Sequence, residues 1–224
     1  MKISKSEAAI VLEPEQPANA AVVWLHGLGA DGGDFVPIVP ELRLPPAIRA
    51  RFVFPHAPVR PITINGGMRM RGWYDILSLT RADQQDEAGI LASAAAVQEL
   101  IEAQADAGIP RQRIVLAGFS QGGAIALHTG LRQREALAGI LALSTYLPLH
   151  TRILGELTAA GRATPILMCH GLYDNVLPVA LGSSSRDGLR QLGCAVEWRD
   201  YPMQHQVCPE EIADIATWLK GRLE

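Results

Sequence analysis

The sequence predicts an α/β fold: a mostly parallel central sheet of about seven strands, flanked by helices and without a large cap domain. Three observations point there. Short apolar runs alternate with longer stretches of helical periodicity. The middle runs are apolar at consecutive positions, as strands buried on both faces must be. A serine between glycines ends one of those runs and opens a helical stretch.

Taken in order, residues 8–12 read as an edge strand, a short run stopped by Glu13 and Pro14. Residues 21–26 and 51–54 are core strands, with a helix expected over 33–42 between them. A long helix follows at 85–107, then a strand at 113–119 and a helix at 120–132. Strands at 139–143, 165–170 and 195–201 alternate with helices at 151–160 and 183–192. The last helix, 209–221, is well marked: Pro209 suits a first turn, and Glu210 and Glu211 complement the positive end of the helix dipole. No internal repeat or linker divides the chain, so residues 1–224 read as a single domain. The exception to short connections is 55–80, a long lid-like loop rich in Pro, Gly and Arg; loops of that length are usually functional. As an exposed surface, it is also the place where a homodimer would form.

Composition narrows the function. With 48% hydrophobic and 19% charged residues the chain is globular, and a net charge of −3 offers no basic field for nucleic acid. The apolar run at 8–12 is too short for a signal-peptide core, and the longest apolar stretch, 136–143, falls far short of a membrane span. Cys169, Cys194 and Cys208 are odd in number and form no CxxC pair. A cytoplasmic protein without integral membrane association is expected. No HxH or HExxH spacing suggests a metal, and Gly27-x-Gly29 lacks the third glycine of a dinucleotide fingerprint, so no cofactor is expected either.

The chemistry is concentrated in Gly118-Phe119-Ser120-Gln121-Gly122, a G-x-S-x-G motif. At ordinary Gly and Ser frequencies this pentapeptide arises by chance in about one chain in ten of this length. Context decides: the apolar strand 114–117 enters it and a helical pattern leaves it. A serine on so sharp a strand-to-helix turn needs neighbours with almost no side chain, which Gly118 and Gly122 supply. Its hydroxyl remains a weak nucleophile until an imidazole removes its proton.

In the α/β-hydrolase fold that this motif marks, the partners follow in the order Ser, then Asp or Glu, then His. Of the six histidines only His170 and His205 follow Ser120 after the next core strand begins. His170 precedes any loop acid, whereas His205 lies between the final strand and the final helix, where the base belongs. Asp174 lies just beyond strand 165–170, placed to accept the second ring N–H of His205 and stabilise the imidazolium. Asp187 and Asp200 fall inside regular elements. The oxyanion is expected between the backbone N–H of Gln121 and one from the loop His26-Gly27-Leu28-Gly29, with Leu28 as the second donor.

Five segments together resemble the phospholipase/carboxylesterase family, which includes carboxylesterases and acyl-protein thioesterases: WLHGLGADGGDF (24–35), INGGMRMRGWYDI (64–76), LAGFSQGGAIAL (116–127), PILMCHGLYDNVLP (165–178) and YPMQHQVCPEEI (201–212). They look closest to the bacterial carboxylesterases. The resemblance implies the same triad, Ser120, Asp174 and His205, the same donors at Leu28 and Gln121, and an acyl groove walled partly by the loop carrying Trp73 and Tyr74. The apolar residues Ile62, Ile64, Met68 and Met70 nearby favour a substrate wall, Met70 among them. Gln204 stands where many relatives have glycine before the histidine. Only residues 144–164 separate strand 139–143 from the next, room for one helix and no cap. The expected activity is hydrolysis of short- to medium-chain carboxylic esters through an acyl-enzyme. The alternatives are an acyl-protein thioesterase or lysophospholipase with the same triad, and a non-catalytic binding protein on a hydrolase scaffold.

Overall fold

The structure is a computed structural model that describes residues 1–78 and 84–224. Strands β1 (Lys2–Lys5), β2 (Ala9–Glu13), β3 (Ala20–Leu25) and β4 (Ala50–Pro55) come first. A separate hairpin, β5 (Val59–Ile62) and β6 (Met68–Arg71), precedes helix α1 (Glu87–Asp106). Then come β7 (Ile114–Phe119), α2 (Gln121–Gly130), β8 (Gly139–Leu143), α3 (Ile153–Glu156), α4 (Ala159–Ala163), β9 (Ile166–Gly171), α5 (Val179–Gln191), β10 (Val196–Tyr201) and α6 (Pro209–Leu223).

Eight strands form one sheet in the order β1-β2-β4-β3-β7-β8-β9-β10. Only β2 runs antiparallel to its neighbours β1 and β4; from β4 to β10 every pairing is parallel. This is the α/β-hydrolase fold, with eight strands where about seven were expected. The period of two along each strand sends side chains to two separate cores. Ala21, Val23 and Leu25 face a layer with Ile90, Val97 and Ile101 of α1 and Leu189 of α5. Val22 and Trp24 face Ile38 and Leu42 on the other side, where Ile215 and Leu219 of α6 complete the layer. The chain leaves β3 toward β4 on one side and returns as β7 on the other. The carboxyl ends of β3 and β7 therefore flank the crevice where open parallel sheets bind ligands.

Four expectations are corrected. Residues 8–12 are not the sheet edge: β1 covers them, an exposed strand whose lysines protect the free edge. The helix expected over 33–42 is a 3-10 segment, Val36–Leu42, because Pro37 and Pro40 have no N–H to give an α-helix. The helix expected over 151–160 is broken: Leu157 is extended, and Thr158 Oγ1 accepts the Gly161 N–H at 2.8 Å, starting α4 afresh. Helix α5 begins at Val179, earlier than the expected 183. The lid-like loop 55–80 holds the β5–β6 hairpin, joined by antiparallel pairing from Val59–Arg71 to Ile62–Met68; its last two positions lie outside the described residues. Among the described residues no helix is long and apolar enough to cross a membrane.

Candidate active site

Strand β7 delivers Ser120 into a bend with φ 54° and ψ −120°, a conformation L-residues rarely adopt. The surroundings hold it there. The Ser120 N–H donates to the Leu143 carbonyl at 2.8 Å, and the Ser120 carbonyl accepts from Thr145 Oγ1 at 2.7 Å and from the Ala124 N–H at 3.1 Å. A Cβ on Gly118 would lie 2.3 Å from the Gly122 carbonyl oxygen, and one on Gly122 2.4 Å from that of Leu25. The bend thus exists only because both positions are glycine.

Two later loops converge on the hydroxyl. His205, between β10 and α6, places Nε2 2.9 Å from Ser120 Oγ, and its Nδ1 lies 2.6 Å from Asp174 Oδ2. Asp174 follows β9; its fully buried carboxylate also accepts the N–H groups of Val176 (2.9 Å) and Leu177 (2.8 Å) through Oδ1. With three donors the carboxylate is fixed in orientation, and it fixes the imidazole in turn. The two loops are tied to each other: the Leu172 and Tyr173 N–H groups donate to the Tyr201 and Met203 carbonyls. Phe119 packs against the His205 ring with centroids 4.8 Å apart.

His170 supports this arrangement from below. Its Nε2–H donates to the Leu177 carbonyl at 2.8 Å and lies 3.6 Å from Asp174 Oδ2. Burial lowers its pKa, so the ring stays neutral. Gln204 is exposed, and its carbonyl accepts the Gln206 N–H at 3.0 Å.

The two expected oxyanion donors belong to the residue after the serine and to the loop that packs against it. Gln121 opens α2, so its N–H has no carbonyl four residues back to bond. Among the described residues the Leu28 N–H has no partner, whereas Gly29 and Ala30 donate to the Arg71 and Gly27 carbonyls. A Cβ on Gly27 would lie 3.5 Å from Ser120 Cβ, which puts this loop against the nucleophile.

The three expected wall residues separate. Tyr74 lines a cavity of about 850 Å³ that opens at Ser120 and His205; Trp73 and Met70 do not. Trp73 is 3% exposed, and its Nε1–H donates to the His26 carbonyl at 2.8 Å, so it anchors the loop from beneath. Met70 Sδ accepts from Asn65 within the hairpin and reaches toward Gly29. The loop is clamped to the nucleophile bend by the Gln121 side chain: Oε1 accepts the Trp73 N–H at 2.8 Å, and Nε2 donates to the Tyr74 carbonyl at 2.7 Å. The cavity walls include Leu28, Leu147, Ile153, Leu181 and Leu192, and Tyr74 and Tyr146 meet there hydroxyl to hydroxyl at 3.0 Å. Burial raises the pKa of both phenols, keeping them neutral. Nothing in the spacing of the sequence singled out Tyr146, His170 or the Gln121 side chain. Geometrically, the site holds a hydroxyl, a base oriented by an acid, two free amides and an apolar chamber.

The model of the phospholipase/carboxylesterase family matches residues 6–222. The chain is 42% identical over 215 residues to an acyl-protein thioesterase 1 of Neurospora crassa, covering 92% of this chain and 87% of the relative. Among solved structures it is similar to Arabidopsis thaliana SOBER1, at 30% identity and a TM-score of 0.87 over 92% of this chain and 100% of that one. It is also similar to the acyl-protein thioesterase 2 of Zea mays, at 28% identity and a TM-score of 0.85 over 96% and 98%.

Proposed function

The chain belongs to the phospholipase/carboxylesterase family and is a serine hydrolase, and from that premise we propose that it hydrolyses short- to medium-chain carboxylic esters with Ser120 as nucleophile, His205 as general base and Asp174 as its orienting acid. The observation that carries this reading is the unbroken relay from Asp174 Oδ2 through both nitrogens of His205 to Ser120 Oγ, at 2.6 and 2.9 Å. His205 Nε2 takes the Ser120 proton as Oγ attacks the acyl carbonyl. The oxyanion settles between the Leu28 and Gln121 N–H groups. His205 returns the proton to the leaving alcohol or thiol, leaving an acyl-serine. Water, deprotonated by the same nitrogen, then attacks, and collapse of the second adduct releases the acid and the free serine.

The apolar chamber supports acyl recognition, and its volume sits in the upper part of the range for small-molecule pockets. Tyr74 supplies a wall, while Trp73 and Met70 act on it indirectly. Residues 1–224 work as one catalytic domain in this reading. The three thiols form no disulfide, which suits a cytoplasmic setting.

A second reading is favoured by the curated relatives, which are acyl-protein thioesterases: the same chemistry directed at an S-acyl chain. Turnover of an aryl-ester chain-length series, an S-acyl peptide and a lysophospholipid separates them. The ester reading predicts the highest kcat/KM on short and medium aryl esters. Activity that rises steadily toward long chains, or that is confined to the S-acyl peptide, would replace it.

A further inference from the structure

The Leu28 N–H belongs to the same peptide unit as the Gly27 carbonyl, and that peptide is unusually easy to turn. Gly27 has no Cβ, so concerted rotation about its ψ and the following φ can flip the plane at little steric cost. A flipped plane would present a carbonyl oxygen, not an N–H, to the developing oxyanion. Something must therefore hold this plane.

His26 occupies that position. It is 1% exposed, at the end of β3, and its Nδ1 lies 2.7 Å from the Gly27 carbonyl oxygen. Its Nε2 lies 3.0 Å from the Ala57 backbone nitrogen. These contacts fix the protonation of the ring without further assumption. Only a donor at Nδ1 suits a carbonyl, and only an acceptor at Nε2 suits an N–H, so the ring is neutral with its proton on Nδ1. Burial, which lowers its pKa, acts in the same direction. The ring is itself immobilised: Trp73 packs against it at 5.3 Å between centroids and donates to the His26 carbonyl.

We propose that His26 is a positioning residue for the oxyanion hole, holding the Gly27 carbonyl so that the Leu28 N–H on the opposite edge of the peptide plane is presented to the reacting acyl oxygen. In a planar trans peptide the C=O and N–H point in opposite directions. Drawing the oxygen toward Nδ1 turns the N–H away from His26, and Gly27 lies directly against Ser120. The Ala30 N–H, 3.3 Å from the same oxygen, is a second and weaker restraint. The inference rests on the proposed function, since it assigns Leu28 as a donor.

Two substitutions divide the two contacts of the ring. His26→Asn keeps an N–H near the Nδ1 position and cannot reach Ala57. His26→Gln places an acceptor near the Nε2 position and offers no donor to Gly27. The expected result is a crossover. His26→Gln loses roughly ten- to a hundredfold in kcat with KM changed less than about threefold, since outright removal of one such donor costs about a hundredfold or more. Its affinity for an aryl boronic acid, which forms a tetrahedral adduct on the serine, falls in parallel. His26→Asn stays within about threefold of wild-type kcat although its Tm is the lower of the two. Loss of kcat that follows Tm across the pair, or a His26→Gln enzyme as fast as wild type, overturns the inference. Nitrogen NMR of wild type gives a check that needs no variant: a proton on Nδ1 is expected, and a proton on Nε2 overturns the lock. Ser120→Ala assayed alongside separates the two levels. Activity surviving that change defeats the proposed function, whereas Ser120-dependent activity with no crossover defeats only the role of His26.

Discussion

Replacing Glu211 with glutamine should make the protein more stable at alkaline pH and leave it unchanged at mildly acidic pH. Glu211 is fully buried in the first turn of α6, three positions after the helix cap at Cys208, where the loop that carries His205 ends. Burial, and secondarily the nearby Asp214 carboxylate, push its pKa from the ordinary 4.5 up to about 8. The Cys208 N–H favours the anion, but neither carboxyl oxygen makes a full hydrogen bond. In the unfolded chain the group ionises near 4.5; in the folded chain it holds its proton to about 8. Its stabilising influence is thus fully present below pH 4.5 and is lost as pH rises toward 8. At about 1.4 kcal/mol per pH unit, that interval corresponds to at most about 5 kcal/mol. Glutamine, close in shape to the protonated acid, carries no such dependence. Urea denaturation followed by tryptophan fluorescence at pH 5, 7 and 9 measures it, Trp218 on α6 being a native reporter. Glu211→Gln should match wild type at pH 5 and exceed it by several kcal/mol at pH 9. A difference that does not change with pH, or a variant less stable than wild type at pH 9, would refute the reasoning, because it would mean that the folded protein accommodates the anion.

Two further substitutions probe the bend and the chamber. Gly122→Ala forces a Cβ to within 2.4 and 2.5 Å of the Leu25 and His26 carbonyl oxygens, backbone atoms that cannot move aside independently; ester turnover should fall at least a hundredfold, with a lowered Tm by scanning calorimetry. Gly188 lines the chamber, and a Cβ there meets nothing within 4 Å, so Gly188→Phe should fold normally yet raise KM for longer acyl chains while leaving the shortest esters unaffected, as a chain-length series would record.

The sheet was legible because its central strands are buried on both faces and so read as uninterrupted apolar runs: β7, β8 and β9 fall within a residue or two of their expected bounds. Strand β1 was not, because all four of its residues are exposed and its pairing is dictated by the free edge of β2. The broken helix at 153–163 escaped because a threonine cap competes locally with a periodicity that continues past it. That Ser120, Asp174 and His205 would meet could be read from glycine spacing and from the positions of strand ends, both local features. The supports of the site are different in kind. The His26 ring is oriented by the Ala57 N–H, 31 positions away, and Tyr74 meets Tyr146 across 72 positions. Trp73 and Tyr74 are adjacent in an irregular loop, where no period assigns one to the core and the other to the chamber.

The central claim is that Ser120 Oγ is the atom that acquires the acyl group. Labelling with a fluorophosphonate, followed by peptide mass mapping, tests it in one step. The account predicts one adduct per chain, located on Ser120, and none in Ser120→Ala under the same conditions. An adduct on another residue, or undiminished labelling of the alanine variant, would contradict it.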